Sequence, residues 1–196
     1  MCNTKNKKFL DIPNKWFFFN PTVVSSKKVF YKISNKIGVV FFFENLTLDK
    51  FFKLIEPYVL WCNKNKIKFI IPYSVYWANK YKAYGILLDA KCRKKDKKKA
   101  LKFLRKKFFF ASKVHNVKEA MNIRDFTDLV FLSPVFKTKS YLNKIPLTKY
   151  IFISLCFFFK EKMIFVLGGV NYKNFNFIKN SKVYGFGAIN FFKDGK

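Results

Sequence analysis

Residues 108–133 read FFFASKVHNVKEAMNIRDFTDLVFLS. The stretch opens on the apolar run Phe108–Ala111, which suits a strand buried on both faces. An amphipathic segment, Val117–Arg124, follows a strand pattern over Phe108–Val114, and a second strand pattern covers Asp128–Ser133. Strand, helix, strand at this spacing is a parallel βα unit. The alternation runs through the chain. Further strands are expected near Trp16–Asn20, Val39–Glu44, Ile67–Ile71, Gly85–Leu88, Met163–Leu167 and Val183–Ala188. Helices are expected at Leu48–Asn65, Ser74–Lys82, Lys94–Lys107, Thr148–Lys160 and Tyr172–Asn180, and the segment after the first strand carries no clear helix pattern. Eight strands in 196 residues is the lower size limit of a (β/α)8 TIM barrel, the expected α/β fold; a doubly wound sheet is the alternative. Residues 1–15 read as a polar N-terminal arm, and 16–196 as a single barrel domain.

The composition is lopsided. Lys and Arg total 40 against 11 Asp and Glu, a formal net charge of +29, and Phe numbers 28. With 51% hydrophobic residues the chain can bury a full core, so wholesale disorder is excluded. Collagen-like and disulfide-stapled classes are excluded by 7 Gly, 6 Pro and 4 scattered Cys (Cys2, Cys62, Cys92 and Cys156). Those cysteines have no metal-type spacing and read as free thiols of a reducing compartment. No apolar run approaches the ~20 residues of a membrane-spanning helix, and Met1–Leu10 has no apolar signal core, so a cytoplasmic protein is expected.

The charge invites a nucleic-acid reading, but only Arg93, Arg105 and Arg124 are arginines. A chain selected to read bases or grip phosphates invests in the bidentate guanidinium. Here Lys, Phe, Asn, Ile and Tyr are inflated together, and all have A/T-rich codons. Compositional drift therefore explains most of the charge, with exposed lysines and strand-borne, buried Phe. Residues 91–107, with 11 Lys or Arg and one Asp, read as a solvated helix face with Lys loops. A basic nucleic-acid-binding protein remains an alternative resting on charge alone, and specific binding is not expected.

Three places carry candidate chemistry. Gly168-Gly169, and Gly187-Ala188 at the last strand end, can bring backbone amides to an anion without Cβ obstruction. Together they resemble the phosphate site that barrels build after strands seven and eight; plain tight turns are the alternative. Ser133-Pro134 ends the sixth strand and leads into Lys137-Thr138-Lys139-Ser140, whose hydroxyls and ammonium groups suit phosphate oxygens. His115, the only histidine, lies at a strand end and titrates near neutrality, so it can shuttle a proton. A hydrogen-bonded histidine at a helix start is its other reading.

In order and spacing, three motifs resemble the thiamine phosphate synthase/TenI family. They are Ala111-Ser-Lys-Val-His-Asn-Val-Lys-Glu-Ala120, Asp128-Leu-Val-Phe-Leu-Ser-Pro-Val-Phe-Lys-Thr-Lys-Ser140, and Phe165-Val-Leu-Gly-Gly-Val-Asn171 followed by Val183-Tyr-Gly-Phe-Gly-Ala-Ile189. The likeness covers roughly residues 60–192 and implies a (β/α)8 barrel. Its synthases join a pyrimidine diphosphate to thiazole phosphate, releasing pyrophosphate, with Mg²⁺; its TenI branch isomerises the thiazole phosphate. The resemblance places Thr138 and Ser140 on thiazole phosphate and His115 at the family's histidine. It puts Tyr141 where a diphosphate lysine often stands, leaving Lys139 or Lys137 to substitute, and Lys113 where synthases carry a hydroxyl.

The family's Mg²⁺ carboxylates fall at Pro72-Tyr73 and Cys92. Asp89 is the nearby candidate metal ligand, with Asp96 behind it. The second strand, Val39 to Asn45, lacks the family's basic pair and carries Glu44. The resemblance thus implies a kept thiazole-phosphate half and a lost pyrimidine-diphosphate half. It offers a divergent Mg²⁺-dependent synthase, or a TenI-like thiazole phosphate isomerase or non-catalytic binder needing no metal. The implied partner is a small phosphorylated thiazole or pyrimidine.

Overall fold

The computed structural model describes residues 11–44, 46–88, 104, 107–138, 144–179 and 183–192, with backbone alone at 24–26 and 175. The expected helix Lys94–Lys107 falls largely outside these residues, as do Asp89, Cys92, Asp96, Lys139, Ser140 and Tyr141.

Eight parallel strands close into a barrel in sequence order. They are β1 (Lys15–Phe19), β2 (Ile37–Phe41), β3 (Phe69–Pro72), β4 (Gly85–Leu88), β5 (Phe109–Val114), β6 (Leu129–Leu132), β7 (Met163–Leu167) and β8 (Gly185–Ala188). Closure is made by β8 on β1, with Trp16 opposite Gly187. The fold is thus the small (β/α)8 barrel that the strand pattern predicts, and the doubly wound alternative falls away. The described helices are α1 (Val24–Phe30), α2 (Leu48–Lys64), α3 (Val75–Lys80), α4 (Val117–Ile123), α5 (Lys149–Phe158) and α6 (Phe175–Lys179).

Strand residues alternate between two buried layers, which is why the runs are apolar throughout. One set fills the barrel: Trp16 and Phe18, Val40 and Phe42, Ile70, Phe109 and Ala111, Leu129 and Phe131, Phe165 and Leu167. The other set, including Phe17, Phe41, Phe110 and Val166, packs outward under the helices. Inside, Phe131 stacks on Phe165 at 5.0 Å, and Trp16 meets both edge-on at 6.3 Å. Such pairs add about 0.5–1.5 kcal/mol each beyond the area they bury.

Rings this large need space on neighbouring strands. A Cβ on Gly38 would stand 2.4 Å from the Trp16 ring, and one on Gly187 would stand 2.5 Å from Phe18. Gly187 therefore makes room for Phe18 inside the barrel.

Helix α1 is the element that the sequence reading leaves out. Its N-cap, Val23, offers no capping side chain, and its first turn holds no acid. Tertiary packing makes the helix instead, through Phe30 wedged against Phe19 at 4.5 Å and Tyr58 at 4.9 Å. Of the expected arm, residues 11–14 pack against the barrel. Ile12 is buried, Tyr184 Oη donates to its carbonyl, and Asn14 O accepts from Phe186 N. Among the described residues, no helix is long and apolar enough to cross a membrane.

Candidate functional site

A cavity of about 360 Å³ opens at the C-terminal ends of the strands, the face where barrels carry their chemistry. Its wall comes from the ends of β5 to β8 and the loops that follow, with Phe18 and Phe42 closing the far side. Neither β3 nor β4 contributes a lining residue.

The floor of the loops is set by contact between two strand ends. Gly168 and Gly169 take φ values of 90° and 69°, a region costly for any side chain. A Cβ on Gly168 would stand 2.8 Å from the Pro134 side chain, and one on Gly169 would stand 2.3 Å from Lys137 O. The loop after β6 therefore lies directly on the glycine turn after β7. Val135 N donates to Leu167 O and Phe136 N to Gly168 O, which locks the two together. Asn174 Nδ2 donates to Gly169 O at 2.9 Å, and Asn171 Oδ1 accepts from the amides of Lys173 and Asn174. The glycines are needed for this loop-on-loop contact whether or not an anion binds beside them.

His115 directly follows β5 and precedes the Asn116 cap of α4. Asn116 Oδ1 accepts from Glu119 N, and the Glu119 carboxylate reaches back to the amide of His115 at 2.8 Å. The same Oε2 lies 2.9 Å from His115 Nδ1. A carboxylate only accepts, so Nδ1 carries the proton and Nε2 keeps its lone pair. Burial pushes the His115 pKa below its usual 6.5, and the nearby Lys144 and Lys113 push the same way, against the pull of Glu119. The ring is thus mostly neutral at neutral pH. It both caps a helix start and lines the cavity, so the two readings of this residue coexist.

Lys113 sits two residues earlier on the inward face of β5, continuing Phe109 and Ala111. Its Nζ lies 5.6 Å from the centre of the Phe42 ring. A cation over a ring face at this distance is attracted by about 0.5–2 kcal/mol, more as water is excluded. Lys137 and Lys144 join it in the wall, and among the described residues no Asp or Glu lines it.

Of the expected site residues, the structure gathers His115, Ser133, Thr138, Gly168, Gly169 and Ala188 around this cavity; Gly187 is not among its described lining residues. Lys113, Lys144, Phe42 and Asn171 join them without having been singled out as site residues. The period-two stripe of β5 is the signal that finds Lys113. Among the described residues no three His, Cys, Asp or Glu group together as a metal would require. Mg²⁺ takes oxygen ligands, usually carboxylates, so the described lining does not fit it. Burial raises the thiol of Cys156 to about 11 and that of Cys62 further, so neither is a thiolate nucleophile near neutrality.

The sequence pattern of the family described as thiamine monophosphate synthase matches residues 32–191. This chain belongs to that family. Among solved structures it is similar to a thiamine phosphate pyrophosphorylase from Pyrococcus furiosus, at 17% identity and a TM-score of 0.65, covering 92% of this chain and 88% of that one. It is also similar to KGPDC from Streptococcus mutans, at 11% identity and a TM-score of 0.65, covering 94% and 91%. An HpcH/HpaI aldolase from Desulfitobacterium hafniense gives 8% identity and a TM-score of 0.66, covering 95% and 89%. At these identities the likeness speaks for the barrel, not its chemistry. No curated protein sequence matches the chain. As a member of the thiamine monophosphate synthase family, the chain has its described cavity over β5 to β8, where the quoted motifs end.

Proposed function

We propose that the chain binds a thiazole phosphate in this cavity and moves a proton on the ring with His115, without joining it to a pyrimidine diphosphate. The observation that supports this reading is the composition of the described wall: His115, three lysines, Ser133, Thr138 and the Gly168-Gly169 turn, with no carboxylate among the described lining residues. Phosphate oxygens suit the Thr138 hydroxyl and the backbone amides of the glycine turn. The apolar Phe18 and Phe42 suit the face of a heterocycle.

The chemistry follows from the Glu119–His115 pair. Neutral His115 Nε2 takes a proton from a ring carbon of the ligand, and the electron pair left behind enters the ring system. Glu119 Oε2, on Nδ1–H, stabilises the imidazolium that forms and holds its orientation. The same Nε2–H then returns the proton to another ring atom, so the step is an isomerisation with no net loss of atoms. Lys113 and Lys144 disfavour a lasting imidazolium, which keeps the base available at neutral pH.

The test incubates the protein with thiazole phosphate and pyrimidine diphosphate in Mg²⁺. Isomerised thiazole phosphate without thiamine phosphate is the expected outcome, with loss of isomerisation in His115→Asn. Binding without turnover makes the chain a non-catalytic binder. Formation of thiamine phosphate overturns the reading in favour of a Mg²⁺-dependent synthase served by Asp89.

A further inference from the structure

We propose that the outer face of α5 is a docking surface for a second copy of this chain, the two copies of the helix packing antiparallel across a two-fold axis. The proposal is independent of what the cavity binds.

Helix α5 turns Phe152 and Leu155 into the barrel wall. At 100° per residue its opposite face holds Tyr150, Ile153, Ser154 and Phe157, all exposed. Tyr150 is 83% exposed and Phe157 75%. On one side Arg124, just after α4, lies 4.7 Å from the Phe158 ring, and on the other Phe152 lies 6.1 Å from Phe177 of α6. Met121 on α4 and Phe177 extend the exposed apolar surface to either side.

This face departs from the chain's own habit. Exposed helix positions elsewhere carry lysine: Lys50, Lys53 and Lys64 on α2, Lys80 on α3 and Lys118 on α4. Compositional drift inflates Phe, Ile and Tyr together with Lys, so on a solvated face it mixes them. Helix α2 shows that mixture, with Leu54 and Leu60 exposed among its lysines. From Tyr150 to Phe159 no residue is charged. A contiguous apolar face of this kind marks an interaction surface.

The spacing identifies the partner. Tyr150, Ile153 and Phe157 recur at i, i+3 and i+7, the seam that receives another helix. The seam carries a ring at each end and the small Ser154 near its middle. Antiparallel pairing about an axis near Ile153 and Ser154 sets each Tyr150 against the partner's Phe157 and lets the backbones approach at the serine. A patch that complements itself is what an isologous two-fold contact requires.

The area is that of a stable dimer. The two rings present roughly 110–210 Å² each at their exposures. With Ile151, Ile153, Met121 and Phe177 the face offers roughly 400–700 Å² of apolar surface per copy. A standard interface buries about 800 Å² per partner, of which about 60%, or about 500 Å², is apolar.

Charge separates this partner from a lipid surface. Two copies at +29 repel each other, and salt screens that repulsion beyond about 8–10 Å. Attraction to an anionic bilayer has the opposite salt dependence. Sedimentation velocity of the full chain at about 1–200 μM, in about 0.05, 0.15 and 0.5 M salt, reads the equilibrium directly. The expected result is a reversible dimer whose Kd falls at least about fivefold as salt rises. Tyr150→Glu and Phe157→Lys, each folded by its urea midpoint, should each weaken the dimer at least about tenfold. Mixing the two variants should restore it, because the introduced carboxylate then faces the introduced ammonium. Tyr76→Glu, on the exposed face of α3, should change nothing. A monomer at every concentration and salt, a dimer that salt weakens, equal losses in Tyr76→Glu and Phe157→Lys, or a mixture no tighter than its components would each overturn the proposal. Monomer that sediments with phosphatidylserine vesicles, and ceases to in Phe157→Ser, would give the face to a lipid surface and overturn it too.

Discussion

Substituting glycine for Lys66 and Lys82 should make this protein more stable, the opposite of what most substitutions do. Both residues adopt φ of 55°. Each follows a helix end, Asn65 for α2 and Tyr81 for α3. Ile67 N donates to Cys62 O at 2.9 Å, and Ala83 N donates to Ala78 O at 3.0 Å. Lys66 N and Lys82 N close the inner bonds, to Asn63 O and Asn79 O. This is the Schellman closure, whose left-handed position strongly favours glycine. A Cβ there costs about 1–2 kcal/mol. Glycine's looser unfolded chain takes back about 0.5–1 kcal/mol. The net gain is about 0.5–1 kcal/mol per site, since both lysine side chains are exposed and lose little.

For the double variant that is about 1–2 kcal/mol, or a Tm rise of roughly 2–8 °C at this chain length. The two caps touch, because Asn63 Nδ2 donates to Tyr81 O at 3.1 Å. The pair therefore also tests additivity. Urea unfolding of Lys66→Gly, Lys82→Gly, the double variant, Lys66→Gln and Lys53→Gly settles the matter. Lys66→Gln sheds the charge but keeps the Cβ and should change little. Lys53→Gly, in the exposed interior of α2, should lose about 1 kcal/mol. The reasoning fails if neither glycine variant at a cap exceeds the parent, or if Lys66→Gln gains as much as Lys66→Gly, since charge relief would then be the cause.

Gly169→Ala should destabilise by about 2–4 kcal/mol, because its Cβ meets two backbone carbonyls that cannot swing aside; urea unfolding measures it, and phosphate affinity should fall with it. Glu119→Gln removes both influences that raise the His115 pKa, so the NMR titration of the lone histidine should move further below its usual 6.5; an upward move would refute the assigned pair. His115 also predicts a pH slope of stability. Its folded pKa is depressed, so the unfolded chain binds more protons as pH falls through 6.5, and stability is lost there and unaffected above about pH 7.5. Urea midpoints at pH 5.5 and 7.5 should differ less in His115→Gln than in the parent.

The barrel was legible because its strands are buried on both sides, which leaves an apolar run with no polar alternation to confuse. Phe108–Val114 and Met163–Leu167 were readable for that reason, and the glycine turn and the Ser133-Pro134 loop announced themselves by residue type. Helix α1 was illegible because nothing local makes it. Its stabilisation is Phe30 against Phe19 and Tyr58, contacts between distant parts of the chain. The packing role of Gly187 was illegible for a related reason. Its role is to leave volume for Phe18 on the neighbouring strand, and volume has no sequence motif.

The lysine surplus divides along the same line. Compositional drift puts lysine wherever it is cheap, on solvated helix faces and even at the left-handed caps where glycine belongs. Drift of that kind tolerates a cost of about 1 kcal/mol at Lys66 or Lys82, since the side chain still reaches water. It does not account for a lysine on an inward barrel stripe, where desolvation opposes the charge itself. Among the described strand residues only Lys15 and Lys113 are charged, and Lys15 is the first residue of its strand. Lys113 is therefore the position where bias stops being a sufficient cause, and it is the one that lines the cavity beside His115. A variant series replacing exposed lysines with glutamine should lower non-specific polyanion binding in proportion to charge removed. Lys113→Gln alone should lower binding of a small anion while leaving polyanion binding nearly unchanged. If Lys113→Gln behaved as one more member of the series, the residue would belong with the drift and the cavity would have no charge of its own making.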